Sequence, residues 1–136
     1  LGWTAINENL TLIPLIFYFG AIFWTLGYDT IYGYQDLKDD EIIGVKSTSI
    51  KFKRNPKIFL ITCYSIFLIT LIYIGFEMGF SYIYFLGMIL VFLHLFLFQI
   101  FKLDIRDQIN CLRIFKSNNF LGFFIFVNIL IGKIII

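Results

Sequence analysis

Residues 80–101 read FSYIYFLGMILVFLHLFLFQIF, twenty-two consecutive positions without an Asp, Glu, Lys or Arg. A helix needs roughly 20 apolar residues to cross a bilayer core, so this one stretch already places the chain in a membrane. Working outward, three further charge-free runs have the same character. They are Leu10–Tyr28 and Ile58–Phe76, of 19 residues each, and Ser117–Gly132, of 16 residues, which reaches full length if it extends through Lys133. With their flanks these runs predict spans at about 10–34, 58–76, 80–101 and 117–136. The expected fold class is an all-α membrane protein of four transmembrane helices, residues 1–136 forming a single transmembrane domain.

Composition excludes the alternatives. The 136 residues are 60% hydrophobic, 21% aromatic and 15% charged, with mean hydropathy +0.87. A soluble domain carries about 25% charged residues, so this chain lacks the polar surface to clothe a water-facing globule. The same numbers exclude disorder and collagen-like repeats. Two cysteines, Cys63 and Cys111, give neither a disulfide scaffold nor the paired ligands of a zinc site.

Charge distribution sets the topology. Ten of the eleven basic residues fall in two connections. Residues 35–57 hold Lys38, Lys46, Lys51, Lys53, Arg54 and Lys57, and residues 102–116 hold Lys102, Arg106, Arg113 and Lys116. Four crossings put both connections on one side, and the positive-inside rule makes that side cytoplasmic. The other side keeps residues 1–9, the turn Glu77-Met78-Gly79 and the tail near Lys133. Residues 1–9 have no basic n-region or cleavage site, so no signal peptide is expected. The first residue, Leu1 in place of Met, leads us to expect a processed or truncated product.

Local chemistry agrees with these boundaries. Asn55-Pro56 reads as an N-cap followed by proline at the first helical position, and Pro14 falls in the first turn of the first span, where a missing N–H is harmless. Ile105, Ile109, Leu112 and Phe115 recur at spacings of 3 or 4, which predicts a short amphipathic helix on the membrane surface.

The chemistry lies where the first span ends, in GYDTIYGYQDLKDDE, residues 27–41. At about 100° per residue, Asp36 and Asp40 fall within about 20° of Asp29 on a continuous helix, with Tyr32 and Gly33 beside that line. Asp39 points about 80° away. Like charges at helical spacing repel by a few tenths of a kcal/mol, and an acid near bilayer depth costs roughly 2.5–3.5 kcal/mol at the centre. Folding does not explain accepting both. A divalent cation does, and hard oxygen ligands select Mg²⁺ or Ca²⁺. Gly44-Val45-Lys46-Ser47-Thr48, followed by Lys51, Lys53 and Arg54, supplies a glycine, cations and hydroxyls suited to a phosphate. The competing reading is a solvated loop of ordinary acids with lysines that only follow the positive-inside rule, and Asp29, one turn inside the apolar segment, weighs against it.

The run from Gly27-Tyr28-Asp29-Thr30-Ile31-Tyr32 through Gln35-Asp36, Asp39-Asp40 and Ile43-Gly44-Val45-Lys46-Ser47-Thr48 closely resembles the second aspartate-rich region of the UbiA prenyltransferases, in their 4-hydroxybenzoate polyprenyltransferase branch. The DxxxD of that region falls on Asp36 and Asp40. A second block, from Leu103-Asp104-Ile105 through Cys111-Leu112-Arg113-Ile114-Phe115-Lys116-Ser117-Asn118 to Gly122, resembles the branch's last cytoplasmic loop and final helix. The resemblance runs from Gly2-Trp3 to the last span. It implies the second half of a nine-helix bundle with two aspartate-rich motifs, of which this sequence contains one; the NDxxDxxxD-type motif is not in it.

The resemblance further implies transfer of a polyprenyl group from polyprenyl diphosphate to the ring of 4-hydroxybenzoate, a step of ubiquinone synthesis, in a bacterial inner membrane. Carried onto this sequence, Asp36 and Asp40 are the expected Mg²⁺ ligands and Lys46 the expected diphosphate-binding residue. Asp29 and Tyr32 are the expected catalytic pocket residues. The expected partners are the two substrates, the lipid bilayer and a separate N-terminal half; no nucleic acid is expected, since the basic residues flank spans instead of forming a stripe. Two other functions compete: a family enzyme with another acceptor, and a non-catalytic remnant or partner subunit.

Other polar residues in the spans read as structural. His94 is expected to be neutral and hydrogen-bonded to a neighbouring helix, and Gln99 and Asn128 to bond between helices. Cys63 is expected to be buried, Cys111 to face the cytoplasm, and Arg113 and Lys116 to contact lipid headgroups or loops.

Overall fold

The computed structural model describes residues 11–134. Residues 1–10, which include the start of the family-like stretch at Gly2-Trp3 and of the first span, and residues 135–136, the last of the fourth span, lie outside the described residues. Helix α1 runs Leu12–Gly33, and a 3₁₀ turn, Tyr34–Asp36, leads into α2, Leu37–Ile43. A short α3, Thr48–Phe52, precedes α4, Pro56–Glu77. Helix α5, Tyr82–Phe92, continues as a π-helix, Leu93–Ile100, and α6 spans Gln108–Ile134. Among the described residues there is no strand, and four helices are long and apolar enough to cross a membrane. The fold is all-α, as expected.

Each boundary has a local cause. Pro14 sits in the first turn of α1 and Pro56 opens α4, where their missing N–H groups cost nothing. Asn55 occupies the N-cap position of α4 without a side-chain capping bond; its carbonyl accepts from Phe59 N at 3.4 Å instead. Gly79, at φ 62°, adopts the left-handed conformation that reverses the chain between α4 and α5. Gly44, at φ 80°, ends α2 in the same way.

The fourth span departs from the sequence reading. Residues 105–115 do not form a separate surface helix, and residues 108–116 are not loop. Helical winding continues through Lys102, and only residues 103–107 connect it to α6, which begins at Gln108. Ile109 is exposed on the first turn of this continuous helix, and Leu112 and Phe115 are half-buried. The buried positions are Cys111, Ile114, Asn118, Leu121, Ile125, Asn128 and Gly132, alternating by 3 and 4 along the whole helix. That seven-residue repeat is the pattern of a helix packed lengthwise against neighbours. Cys111 therefore points into the bundle, and its thiol donates to the Asp104 carbonyl at 3.4 Å.

Packing is closest between α1 and α4 and between α5 and α6, and α1 also lies along α6. In lipid no hydrophobic force drives helices together, so small residues and buried hydrogen bonds do that work. A side chain at Gly27 would overlap the Tyr64 ring, which lets α1 approach α4 backbone-first. Tyr64 Oη donates to Gln99 Oε1 at 2.7 Å. Gln99 Nε2 and Trp24 Nε1 both donate to Asn118 Oδ1 at 2.9 Å. One cluster thus joins α1, α4, the π-helix and α6. Asn128 Nδ2 donates to the Tyr84 carbonyl at 3.0 Å, and His94 Nε2 lies 3.2 Å from Ser117 Oγ. The interhelical roles expected of Gln99, Asn128 and His94 are those observed, and Cys63 is buried.

Candidate functional site

The acids enter on the outward side of α1. Gly20, Gly27, Thr30 and Ile31 are its buried positions, facing α4 and α6. Asp29 is exposed on the opposite side, and Tyr32 is exposed at the edge next to α6. Tyr18, Ala21, Ile22, Thr25, Leu26 and Asp29 line an open groove of about 340 Å³ along it. Tyr32, one turn nearer the loop end of the bundle, sets its ring 4.7 Å from that of Phe115 on α6.

The helix then changes pitch. Tyr34–Asp36 form a 3₁₀ turn, with about three residues per turn instead of 3.6. Three such residues add about 60° of rotation, so Asp36 and Asp40 swing away from the line through Asp29. The single row of three carboxylates expected from an uninterrupted helix is not formed. Among the described residues no group of three or more His, Cys, Asp or Glu side chains is placed to hold a metal. Asp36 and Asp40 remain one turn apart at the start of α2, Asp36 exposed at its N-cap position and Asp40 half-buried. Asp36 makes no capping bond with its side chain. The backbone carbonyl of Asp40 accepts from Gly44 N at 2.9 Å and Val45 N at 3.0 Å, closing α2.

Residues 44–52 fold back onto α1, and this alters the reading of the Lys46-Ser47-Thr48 stretch. Ser47 Oγ caps α3 by accepting from Ile50 N at 3.3 Å. Thr48 Oγ1 lies 2.8 Å from Thr30 Oγ1, and Ser49 Oγ donates to the Thr30 carbonyl at 3.1 Å. Thr48 and Ser49 are thus engaged within the protein, whereas Ser47 Oγ accepts from the helix and its own proton has no acceptor among these bonds. Lys46 itself is exposed. Nearby, Lys53 pairs with Glu41 across the fold between α2 and α3, and Gln108 Nε2 donates to the Gln35 carbonyl at 2.7 Å, tying the start of α6 to the 3₁₀ turn.

Thr30 and Ser49, both buried, were missed in the sequence, yet they fix the position of the Lys46 loop. The spacing of Gly20, Gly27 and Tyr34, each seven residues apart, was a usable signal for the buried face that includes Thr30. Arg113 and Lys116 are exposed on α6, near its start.

The chain matches the family model described as "UbiA prenyltransferase family" over residues 1–128. It is similar to the mitochondrial 4-hydroxybenzoate polyprenyltransferases of Bos taurus and Homo sapiens, each 38% identical over 137 residues, a stretch covering 98% of this chain and 36% of those proteins. It is also similar to the 4-hydroxybenzoate octaprenyltransferase of Coxiella burnetii, 33% identical over 131 residues, covering 96% of this chain and 45% of that protein. The chain therefore spans less than half the length of these relatives. No solved structure matches.

Proposed function

The chain belongs to the UbiA prenyltransferase family, and from that premise we propose that it contributes the second aspartate-rich region to a 4-hydroxybenzoate polyprenyltransferase. The reaction joins a ring carbon of 4-hydroxybenzoate, ortho to the hydroxyl, to the first carbon of a polyprenyl chain. Diphosphate leaves with its electron pair, and the ring proton is lost to restore aromaticity. The observation that carries this reading is that Asp29 and Tyr32 on α1, Asp36 in the 3₁₀ turn and Lys46 in the loop after α2 are all exposed.

Asp36 and Asp40 are the residues that would hold Mg²⁺, which supplies positive charge to a diphosphate when bound. Two carboxylates suit a cation that takes one or two of them and completes its shell with phosphate oxygens. They are the carboxylates of one of the family's two aspartate-rich motifs. Lys46 offsets charge on the leaving diphosphate. Asp29 and Tyr32 orient the acceptor beside the groove on α1, whose apolar walls suit a prenyl tail. The basic residues at the loop end favour a cytoplasmic position for that end, in a bacterial plasma membrane.

One observation favours a second reading. Two carboxylates without a third make a weak metal site, which suits a chain that binds but turns over only beside a separate N-terminal half. Prenyl transfer by membranes carrying this chain, with and without a co-expressed N-terminal half, tests both. Product that disappears with Asp36→Asn or EDTA supports catalysis, and product only in the co-expressed membranes supports the second reading. No product in either overturns the proposed activity.

A further inference from the structure

A second concavity, of about 1000 Å³, opens at the loop end between α2, residues 53–54 and the start of α6. Asp29, Tyr32, Asp36, Asp40 and Lys46 do not line it. Its cations are Lys38, Lys53, Arg54 and Arg106, and its acids are Glu41 and Asp107. Both acids are already engaged. Glu41 pairs with Lys53, and Asp107 Oδ1 accepts from Ile109 N at 2.9 Å and Asn110 N at 3.1 Å, capping α6. Lys53–Glu41 is the one ion pair among the described residues, so Lys38, Arg54 and Arg106 face the cavity without a carboxylate partner. Tyr34 also lines it; the residue is 1% exposed, and its hydroxyl is buried with no hydrogen-bond partner. A buried donor beside three unpaired cations is a demand for an anionic oxygen.

We infer that this cavity binds a phosphate group, held by Lys38, Arg54 and Arg106 and taking a hydrogen bond from the Tyr34 hydroxyl. Guanidinium groups suit phosphate because they donate in a fork. The wall is not wholly polar, since Leu37, Ile105 and Ile109 share it at the edge of the apolar spans. A phospholipid headgroup and a soluble phosphate compound present the same chemistry to it. The site requires no metal and does not depend on the prenyl-transfer reading.

The test uses the purified chain with EDTA present, which silences any metal-dependent diphosphate binding. One arm titrates inorganic phosphate by calorimetry in detergent. The other reconstitutes the chain in phosphatidylcholine nanodiscs containing phosphatidylglycerol and counts retained phosphatidylglycerol by native mass spectrometry. Arg54→Gln with Arg106→Gln is expected to weaken binding at least about tenfold, and Tyr34→Phe, which preserves the ring, by about threefold. Lys102→Gln with Lys116→Gln removes equal charge outside the cavity and is expected to change neither arm. Loss in the calorimetric arm alone identifies a soluble phosphate, and loss in the nanodisc arm alone a lipid headgroup; either supports the site. Equal loss in the control pair, or no saturable binding to either probe, overturns it.

Discussion

Gln99 and Asn118 hydrogen-bond to one another at the centre of the bundle, Gln99 Nε2 donating to Asn118 Oδ1 at 2.9 Å. Each also reaches a further helix, Gln99 through Tyr64 and Asn118 through Trp24. Buried polar pairs between membrane helices contribute about 0.6 kcal/mol on average, but an unpartnered buried group costs about 1–3 kcal/mol. Asn118→Leu strands both Gln99 and Trp24, so it is expected to destabilise the bundle by about 2 kcal/mol. Tyr64→Phe removes one donor and is expected to cost under about 1 kcal/mol. Unfolding of the detergent-solubilised chain in a denaturant series measures both.

Two glycines are expected to respond for different reasons. Gly27→Val drives a branched side chain into the Tyr64 ring, separating α1 from α4, at a cost of about 1–3 kcal/mol or more. Gly44→Ala meets no neighbouring atom but must hold φ 80°, for about 1 kcal/mol. The same unfolding series ranks them, and only Gly27→Val is expected to broaden the transition through looser helix packing.

Ser49 and Thr30 hold the loop that carries Lys46 against α1. Ser49→Ala leaves the Thr30 carbonyl without this donor and costs about 1 kcal/mol. Its readout is local: backbone amides of residues 44–52 are expected to exchange hydrogen faster, while those of α4 and α5 keep their rates.

For the proposed activity, Asp36→Asn and Asp40→Asn are each expected to reduce prenyl transfer by at least about 10²-fold, the scale of losing one preorganised electrostatic group. Asp39→Asn is expected to change it less than about threefold, since Asp39 lies off the Asp36–Asp40 edge of α2. Rates with a fixed short prenyl diphosphate, at saturating Mg²⁺ and after EDTA, give the comparison. Equal loss at all three positions would show that net charge, not placement, is what matters.

The four spans were legible because an apolar run of sufficient length admits few structures. Their inner faces were partly legible: Gln99, Asn128 and His94 stood out as polar residues in apolar runs, and each bonds across helices. Where α6 begins was not legible. Arg113 and Lys116 interrupt the apolar run, yet both sit exposed on continuous helix, and charge content marks the apolar layer instead of the helix end. The row of acids failed for a different reason. It assumed a constant 100° per residue, and three residues of tighter winding undo it. Trp24 and Tyr64 carried no sequence signal, because their partners lie 94 and 35 positions away.

The turn at Gly79 also bears on how the chain enters a bilayer. Between Lys57 and Lys102 the sequence contains one charged side chain, Glu77. Helices α4 and α5, joined by so short a reversal, can therefore slip into the lipid together during synthesis, as a hairpin that drags a single carboxylate across. Adding two lysines beside Gly79 would burden that crossing with cations and is expected to leave a fraction of chains with the hairpin stranded on the side where it was made.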